Sequence, residues 1–231
     1  MNNEKIYIIA IDGPAGSGKG TVAKEISKKL HYHYLDSGAI YRIIALACLK
    51  QDINFKDNQE LIKLLQKTYI SFKQGDSFLD KQNVSNEIRD EQVGKVASQI
   101  AQNINLRNSI LNYQRNFAKF PGLVAEGRDM ATVVFPQAHL KIYLDASVAE
   151  RAKRRYKQLI LKGINVNIGT LVSEIIARDK QDMEREHSPL AVDKDSIVLN
   201  TDNLSIEQTV NKILDYINTT GADGTKPSAK K

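Results

Sequence analysis

The nine residues Gly13-Pro14-Ala15-Gly16-Ser17-Gly18-Lys19-Gly20-Thr21 carry the strongest chemical signal in the chain. They fit the pattern G-x-x-x-x-G-K and lie between a predicted strand and a predicted helix, the context that pattern needs. Glycines at 13, 16 and 18 let the backbone curl until successive amide N–H groups face one phosphate. The helix beginning near Gly18 adds the positive end of its dipole. Lys19 can then reach the β and γ phosphates of a nucleoside triphosphate. Gly20 stands where a Ser or Thr usually follows the lysine, so the hydroxyl that helps hold Mg2+ is either Thr21 or Ser17. The competing reading is a glycine-rich turn without a ligand.

Two basic groups follow much later. In Arg178-Asp-Lys-Gln-Asp182-Met-Glu-Arg185, spacings of four and three put Arg178, Asp182 and Arg185 on one helix face, pointing at one ligand. A solvated face laced with i,i+4 ion pairs is the plainer alternative. Arg151, Arg154 and Arg155 in RAKRR form the densest basic cluster, and a surface role without chemistry competes for each. Asp36 can cap a helix, receive the acceptor's proton or order a metal-bound water. Cys48, in the apolar stretch IIALACL, reads as a buried small hydrophobe rather than a nucleophile. His31 and His33, in a connecting segment, and His139 and His187 form no metal-ligand or nucleophile-base pattern, and no chemistry is assigned to them.

These groups need a scaffold. Lys5 to Ile11 is a short β-branched run ending at Asp12-Gly13-Pro14, which predicts a buried strand and a loop. Val22, Ala23, Ile26 and Leu30 then recur at helical spacing, and Ser37 to Lys50 is a second helix capped by Asp36 or Ser37. Leu61 to Gln66 closes a third. Thr68–Phe72, Ser77–Leu79 and Asn83–Val84 read as a small antiparallel meander. Helices are expected over Glu91–Ala101, Asn105–Lys119, Ser147–Leu161, Gly169–Glu186 and Ser205–Ile217, with strands at Gly122–Ala125, Leu140–Leu144 and Ile197–Leu199. Strands alternating with helical crossovers predict an α/β fold whose parallel sheet binds ligands at the carboxyl ends of its strands. The tail from Thr219 has almost nothing to bury and is expected to be disordered.

With 231 residues and 42% hydrophobic content the chain can bury a sizeable core, and one domain with insertions is expected. One cysteine precludes a disulfide framework. After MNNEK come only about seven apolar residues, short of the ~20 that a membrane helix needs, so the cytoplasm is expected and a membrane partner is not. A formal charge of +6 suggests an anionic partner. The lysines and arginines are dispersed, there is no Trp, and no basic run interleaves with aromatics, which disfavours nucleic acid.

The GKGT variant of the loop resembles that of the nucleoside monophosphate kinases, and from Ile8 to about Ile213 the chain resembles the bacterial cytidylate kinases among them. The resemblance rests on blocks in family order: GPAGSGKGT, Leu35-Asp-Ser-Gly-Ala-Ile-Tyr-Arg42, Val84-Ser-Asn-Glu-Ile-Arg89, Ala97-Ser-Gln99, Gly127-Arg-Asp-Met130 with Thr132-Val-Val-Phe-Pro136, and Arg178-Asp179 with Ser188-Pro-Leu190. It implies a P-loop NTPase three-layer fold over residues 1–218, with a small acceptor-binding insert at about 63–97 and a mobile lid at about 151–167. It implies ATP as phosphoryl donor with Mg2+, and CMP or dCMP as acceptor. Gly13 to Thr21 would bind ATP, and Lys19, Arg128, Arg154 and Arg155 would act on the transferring group. Ser37, Arg42, Ser98, Arg107, Arg128, Asp129, Arg178, Asp182 and Arg185 would bind the acceptor.

Cytosine offers an exocyclic amine that a carboxylate can accept, and a ring nitrogen and carbonyl that an arginine and a hydroxyl can satisfy. Asp129 and Arg107 have those polarities. Uracil would set a carbonyl against Asp129, a mismatch of roughly 1–3 kcal/mol. Two positions depart from the family pattern. Ala131 replaces a common glycine and is expected to restrict the loop carrying Arg128 and Asp129, and Asn200 replaces a common aspartate on the adenine side. Another small acceptor, UMP or a shikimate-like alcohol, is the alternative within enzymes. A nucleotide-dependent nucleic-acid-binding protein is the alternative outside them. A monomer is expected, since no heptad or apolar stripe is visible.

Overall fold

Burial decides where the strands lie. The YIIAID run forms β1 (Tyr7–Asp12), and Ile9, Ala10 and Ile11 are fully inaccessible, as a central parallel strand covered on both faces requires. The computed structural model describes residues 6–73, 75–161 and 163–220. Lys5, Gln74 and the expected tail from 221 lie outside the described residues.

The chain divides into two compact units, one built from residues up to Leu35 together with Arg115 onward, the other from Asp36–Gln114. In the first, β2 (His33–Asp36), β6 (Gly122–Gly127), β1, β7 (Leu140–Asp145) and β8 (Ile197–Asn200) form a sheet in that order. The β6–β1, β1–β7 and β7–β8 pairs are parallel, with Asp12 opposite both Gly127 and Tyr143. The segments after β1, β6 and β7 therefore leave the sheet at one edge, the carboxyl edge where such sheets bind ligands. Helices α1 (Lys19–Leu30) and α8 (Ile206–Thr220) pack together, and their Val22, Ile26, Val210, Ile213 and Ile217 share one core with Ile9, Ile11, Ile142 and Leu144. Each such buried side chain contributes about 1.5–3 kcal/mol. Helices α6 (Val148–Leu161) and α7 (Ile168–Glu184) form a hairpin around Ala152, Leu159 and Leu171.

The second unit is organised around α2 (Ser37–Lys50), which packs against α3 (Asn58–Lys67), α4 (Glu91–Ile100) and the meander. That meander is β3 (Ile70–Lys73), β4 (Asp76–Leu79) and β5 (Gln82–Asn83), antiparallel throughout. Helix α5 (Ile104–Arg115) runs to the unit's end. The segment expected as an acceptor-binding insert, about 63–97, lies within this unit.

Differences from the sequence reading concentrate at element ends. His33 opens an edge strand rather than a connector, and its Nε2 donates to Phe120 O at 3.1 Å. Helix α7 stops at Glu184, with Arg185 extended, because the chain ahead turns through left-handed Ser188 into Pro189. Helix α5 stops four residues before Lys119, where Arg115 turns its guanidinium onto the carbonyls of Val133 and Val134. Thr219 and Thr220 close α8 instead of starting the tail.

Candidate active site

Gly13 takes a φ of +152°, and a Cβ there would lie 2.1 Å from the Leu144 carbonyl oxygen, so only glycine passes under β7 at the loop's start. Gly18, at φ +90°, is the N-cap of α1 and supplies no capping side chain. Helices α2, α3, α4 and α7 each have an Asp or Asn capping their first amides. The first turn of α1 is thus left to an anion. Lys19 Nζ donates to Pro14 O at 3.2 Å and stands 3.9 Å from Glu126 Oε2. Ser17 is buried and its Oγ has no hydrogen-bond partner, whereas Thr21 is exposed. A Cβ at Gly20 would meet Glu126 Oε1 at 3.0 Å, so a side chain there would make that carboxylate give way.

The second feature is a knot of guanidinium groups. Arg128, one residue beyond β6, donates from Nε to Asp182 Oδ2 at 2.8 Å. Burial works against the charged form of Arg128, but Asp182, Glu126 and Asp12 outweigh it and hold its pKa above the ordinary value. Burial likewise opposes ionisation of Asp182, yet Arg128, Arg178 and Arg185 keep its pKa low. Burial and then repulsion from Arg128 press the pKa of Arg178 downward, with Arg155 adding to the repulsion. Arg178 Nε is buried without a hydrogen-bond partner. Arg185 joins this group from the extended segment after α7 rather than from a helix face, its Nε donating to Ser188 O. Asp129 is buried beside Arg128. Arg128, Arg178 and Arg185 converge on Asp182, while Glu126, Asp12 and Asp179 add weaker negative charge to the group.

The RAKRR arginines have different fates. Arg151 is buried in a bidentate pair with Asp179, at 2.9 and 2.5 Å, and also donates to Ala15 O and Ala146 O. It ties the loop to the helical hairpin. Arg154 donates to Ser17 O and to Thr201 O and Oγ1, and pairs with Glu150. Arg155 is partly buried and its charge reaches Arg178.

The second unit holds the other expected acceptor residues. Ser37 is buried and its Oγ accepts from Gln114 Nε2 at 2.9 Å. Arg42 Nη1 donates to Ile88 O and Asp90 O, and its guanidinium lies over Gly94, where a Cβ would sit 2.8 Å from Nη2. Ser98 follows one turn later on the same helical face. Arg107 is buried, donates to Ala101 O at 2.9 Å, and has its guanidinium carbon 5.7 Å from the Tyr41 ring centroid. Asp36 caps α2 by accepting from Ala39 N at 2.9 Å.

The cytidylate kinase family model matches residues 9–219. The chain belongs to the cytidylate kinase family. A cytidylate kinase of Nitrosomonas europaea is 46% identical over 93% of this chain and 96% of its own length. That of Polynucleobacter asymbioticus is 49% identical over 91% and 96%. As a cytidylate kinase family member the protein is an ATP-dependent phosphotransferase on a P-loop fold.

Asp12, Glu126 and Thr201, which surround the loop of this kinase, were not singled out by sequence. Each is a buried polar residue at the carboxyl end of a strand or just beyond it, and a polar residue ending an apolar run was the available signal. Ala131 is not left-handed, so the missing glycine imposes no backbone strain. Asn200 Oδ1 accepts from Asp202 N in a local turn. Burial pushes the Cys48 thiol up to about 11, consistent with a core residue. Among the described residues no cluster of three or more His, Cys, Asp or Glu could hold a metal ion, and no helix is long and apolar enough to cross a membrane.

Proposed function

We propose that this kinase moves the γ-phosphoryl group of ATP onto the phosphate of CMP or dCMP. The observation that carries the reading is the buried, unpartnered Nε of Arg178 within the guanidinium group around Asp182. A phosphate dianion would satisfy that donor and relieve the repulsion pressing on Arg178. The glycine loop belongs to the same unit and would hold the donor triphosphate by its amides and Lys19.

A CMP phosphate oxygen attacks the γ phosphorus in line, the bond from that phosphorus to the β–γ bridging oxygen breaks, and ADP leaves. No covalent enzyme intermediate is required. The work is positioning and charge neutralisation, and Lys19, Arg128 and Arg155 carry it. Arg154 contributes from its place on the loop backbone. Ser17 or Thr21 would hold Mg2+, and the buried Ser17 Oγ is the hydroxyl left in need of a partner. When bound, the ion adds positive charge along the phosphates. Asp129, Arg107 and Ser98 read cytosine, Ser37 and Arg42 bind the acceptor, and Asp182 accepts from the ribose. One chain carries every residue used, so a monomer suffices, working in the cytoplasm without nucleic acid or membrane.

The test is ADP release from Mg-ATP with CMP, dCMP, UMP, AMP, shikimate, polynucleotide or no acceptor. CMP and dCMP should support rapid release, with UMP about ten- to a hundredfold poorer, as a buried polar mismatch dictates. Release indifferent to nucleotides, or stimulated by polynucleotide, would overturn the reading.

A further inference from the structure

Asp12 is the most deeply buried carboxylate among the described residues, at 2% exposure, and the mechanism above does not use it. It is the last residue of β1, directly before Gly13, and lies opposite Gly127 in the β1–β6 register. Its oxygens accept from Met130 N at 2.9 Å and Ala131 N at 2.8 Å. Among the described residues it makes no ion pair. Arg128 acts on it only through space, and a buried carboxylate with no direct cation partner is costly unless its hydrogen bonds satisfy it.

Those two amides open the Met130–Val134 segment, a wide turn in which Val134 N reaches back to Asp129 O and Phe135 N to Met130 O. The first amides of such a turn have no partner inside it. Asp12 supplies that partner from another strand, as an N-cap residue does from its own chain. Arg128 and Asp129 are the only two residues between the Gly127 register position and the amide clamp. They are held from both sides.

We infer that Asp12 is a positioning residue for the acceptor: by fixing the backbone at Met130 and Ala131 it orients Arg128 and Asp129, and so couples the donor loop to base and phosphate recognition. The inference rests on the proposed acceptor reading. Burial raises the Asp12 carboxyl to about 6 against the lowering effect of the two amides, so it is mostly ionised, and a full acceptor, at neutral pH.

The experiment compares wild type with Asp12→Asn, which keeps the shape but turns an N–H toward one of the amides, and with Asp12→Ser. Serine is smaller and uncharged, so it removes the buried charge without crowding the core. For each, KM for CMP, the CMP-to-UMP ratio of kcat/KM, affinity for ATP and Tm are measured. The expected result is a KM for CMP at least tenfold higher and a shrunken CMP-to-UMP ratio in either folded variant, with ATP affinity within threefold of wild type. Parallel losses of CMP affinity, ATP affinity and Tm, or a wild-type KM for CMP in both variants, would overturn the inference. A wild-type enzyme that ignores CMP would instead bring down the acceptor reading, and the inference with it.

Discussion

Replacing Asp182 by Asn should destabilise the ligand-free protein and make it newly responsive to anions. Asparagine keeps the shape and one acceptor for Arg128, so the loss reports the charge. Removing one member of a buried pair costs about 3–5 kcal/mol. Here the Arg128 and Asp182 side chains keep 17% and 10% exposure, which reduces the expectation to about 2–3 kcal/mol. In a chain of this size 1 kcal/mol moves Tm by roughly 2–4 °C, so a fall of roughly 4–12 °C is expected. Without the carboxylate, Arg128, Arg178 and Arg185 lose their principal counter-charge and keep only the weaker influence of Glu126 and Asp12 on Arg128 and of Asp179 on Arg178. Inorganic phosphate should therefore recover more Tm in the variant than in wild type. The assay is thermal unfolding followed by circular dichroism at low ionic strength and neutral pH, with and without phosphate. The acid limb gives a second reading. Asp182 has a folded pKa below its ordinary 3.8, so the unfolded chain binds the proton first. Its stabilisation is present above that ordinary value and is lost as pH falls through the folded one, a loss the variant lacks. A Tm within about 1 °C of wild type, or equal phosphate stabilisation of both proteins, would refute the charge-cluster reasoning.

Lys19→Met should lower kcat about a hundredfold or more, since a cation acting on the transferring phosphates is removed; steady-state kinetics with saturating ATP checks this. Gly13→Ala drives a Cβ to 2.1 Å from Leu144 O and should cost on the order of 3 kcal/mol or more, read by urea unfolding together with loss of ATP binding. Asp12 gives the opposite pH signature to Asp182. Its folded pKa of about 6 lies above 3.8, so its contribution is full below the ordinary value and is lost as pH rises through about 6. The difference is about 3 kcal/mol. Asp12→Asn should therefore remove a decline in stability between these pH values, seen by comparing unfolding free energies of the two proteins; parallel curves would contradict it.

Most of the fold was legible because its elements announce themselves locally, the short edge strand β2 and the Met130–Val134 turn being the exceptions. The YIIAID run, the 3.6-residue pattern through Val22, Ile26 and Leu30, and the Asp36 cap all lie within a few residues of what they determine. The bounds of α2 agree with the sequence reading at both ends. The end of α7 was harder, since the helical pattern runs on to Glu186 while the Ser188-Pro189 turn ends the helix sooner. The glycine loop was legible for the same local reason. The clamp at Asp12 was not, because its partners are 118 and 119 residues away and no spacing rule reaches that far. Of the RAKRR arginines the family resemblance put Arg154 and Arg155, not Arg151, on the transferring group, but the contacts that give Arg151 its structural place, with Asp179 and Ala15, lie far away in the chain. Gly20 looked like a departure from the common loop, and only the structure shows that a side chain there would press on Glu126 of β6.

The most direct test of the phosphoryl-transfer claim is to follow the label from γ-labelled ATP in a reaction with CMP and Mg2+, separating products by ion-exchange chromatography. The label should appear at the β position of CDP in equal amount to the ADP formed. Label found only in inorganic phosphate, or ADP formed with no labelled CDP, would contradict transfer to the acceptor phosphate.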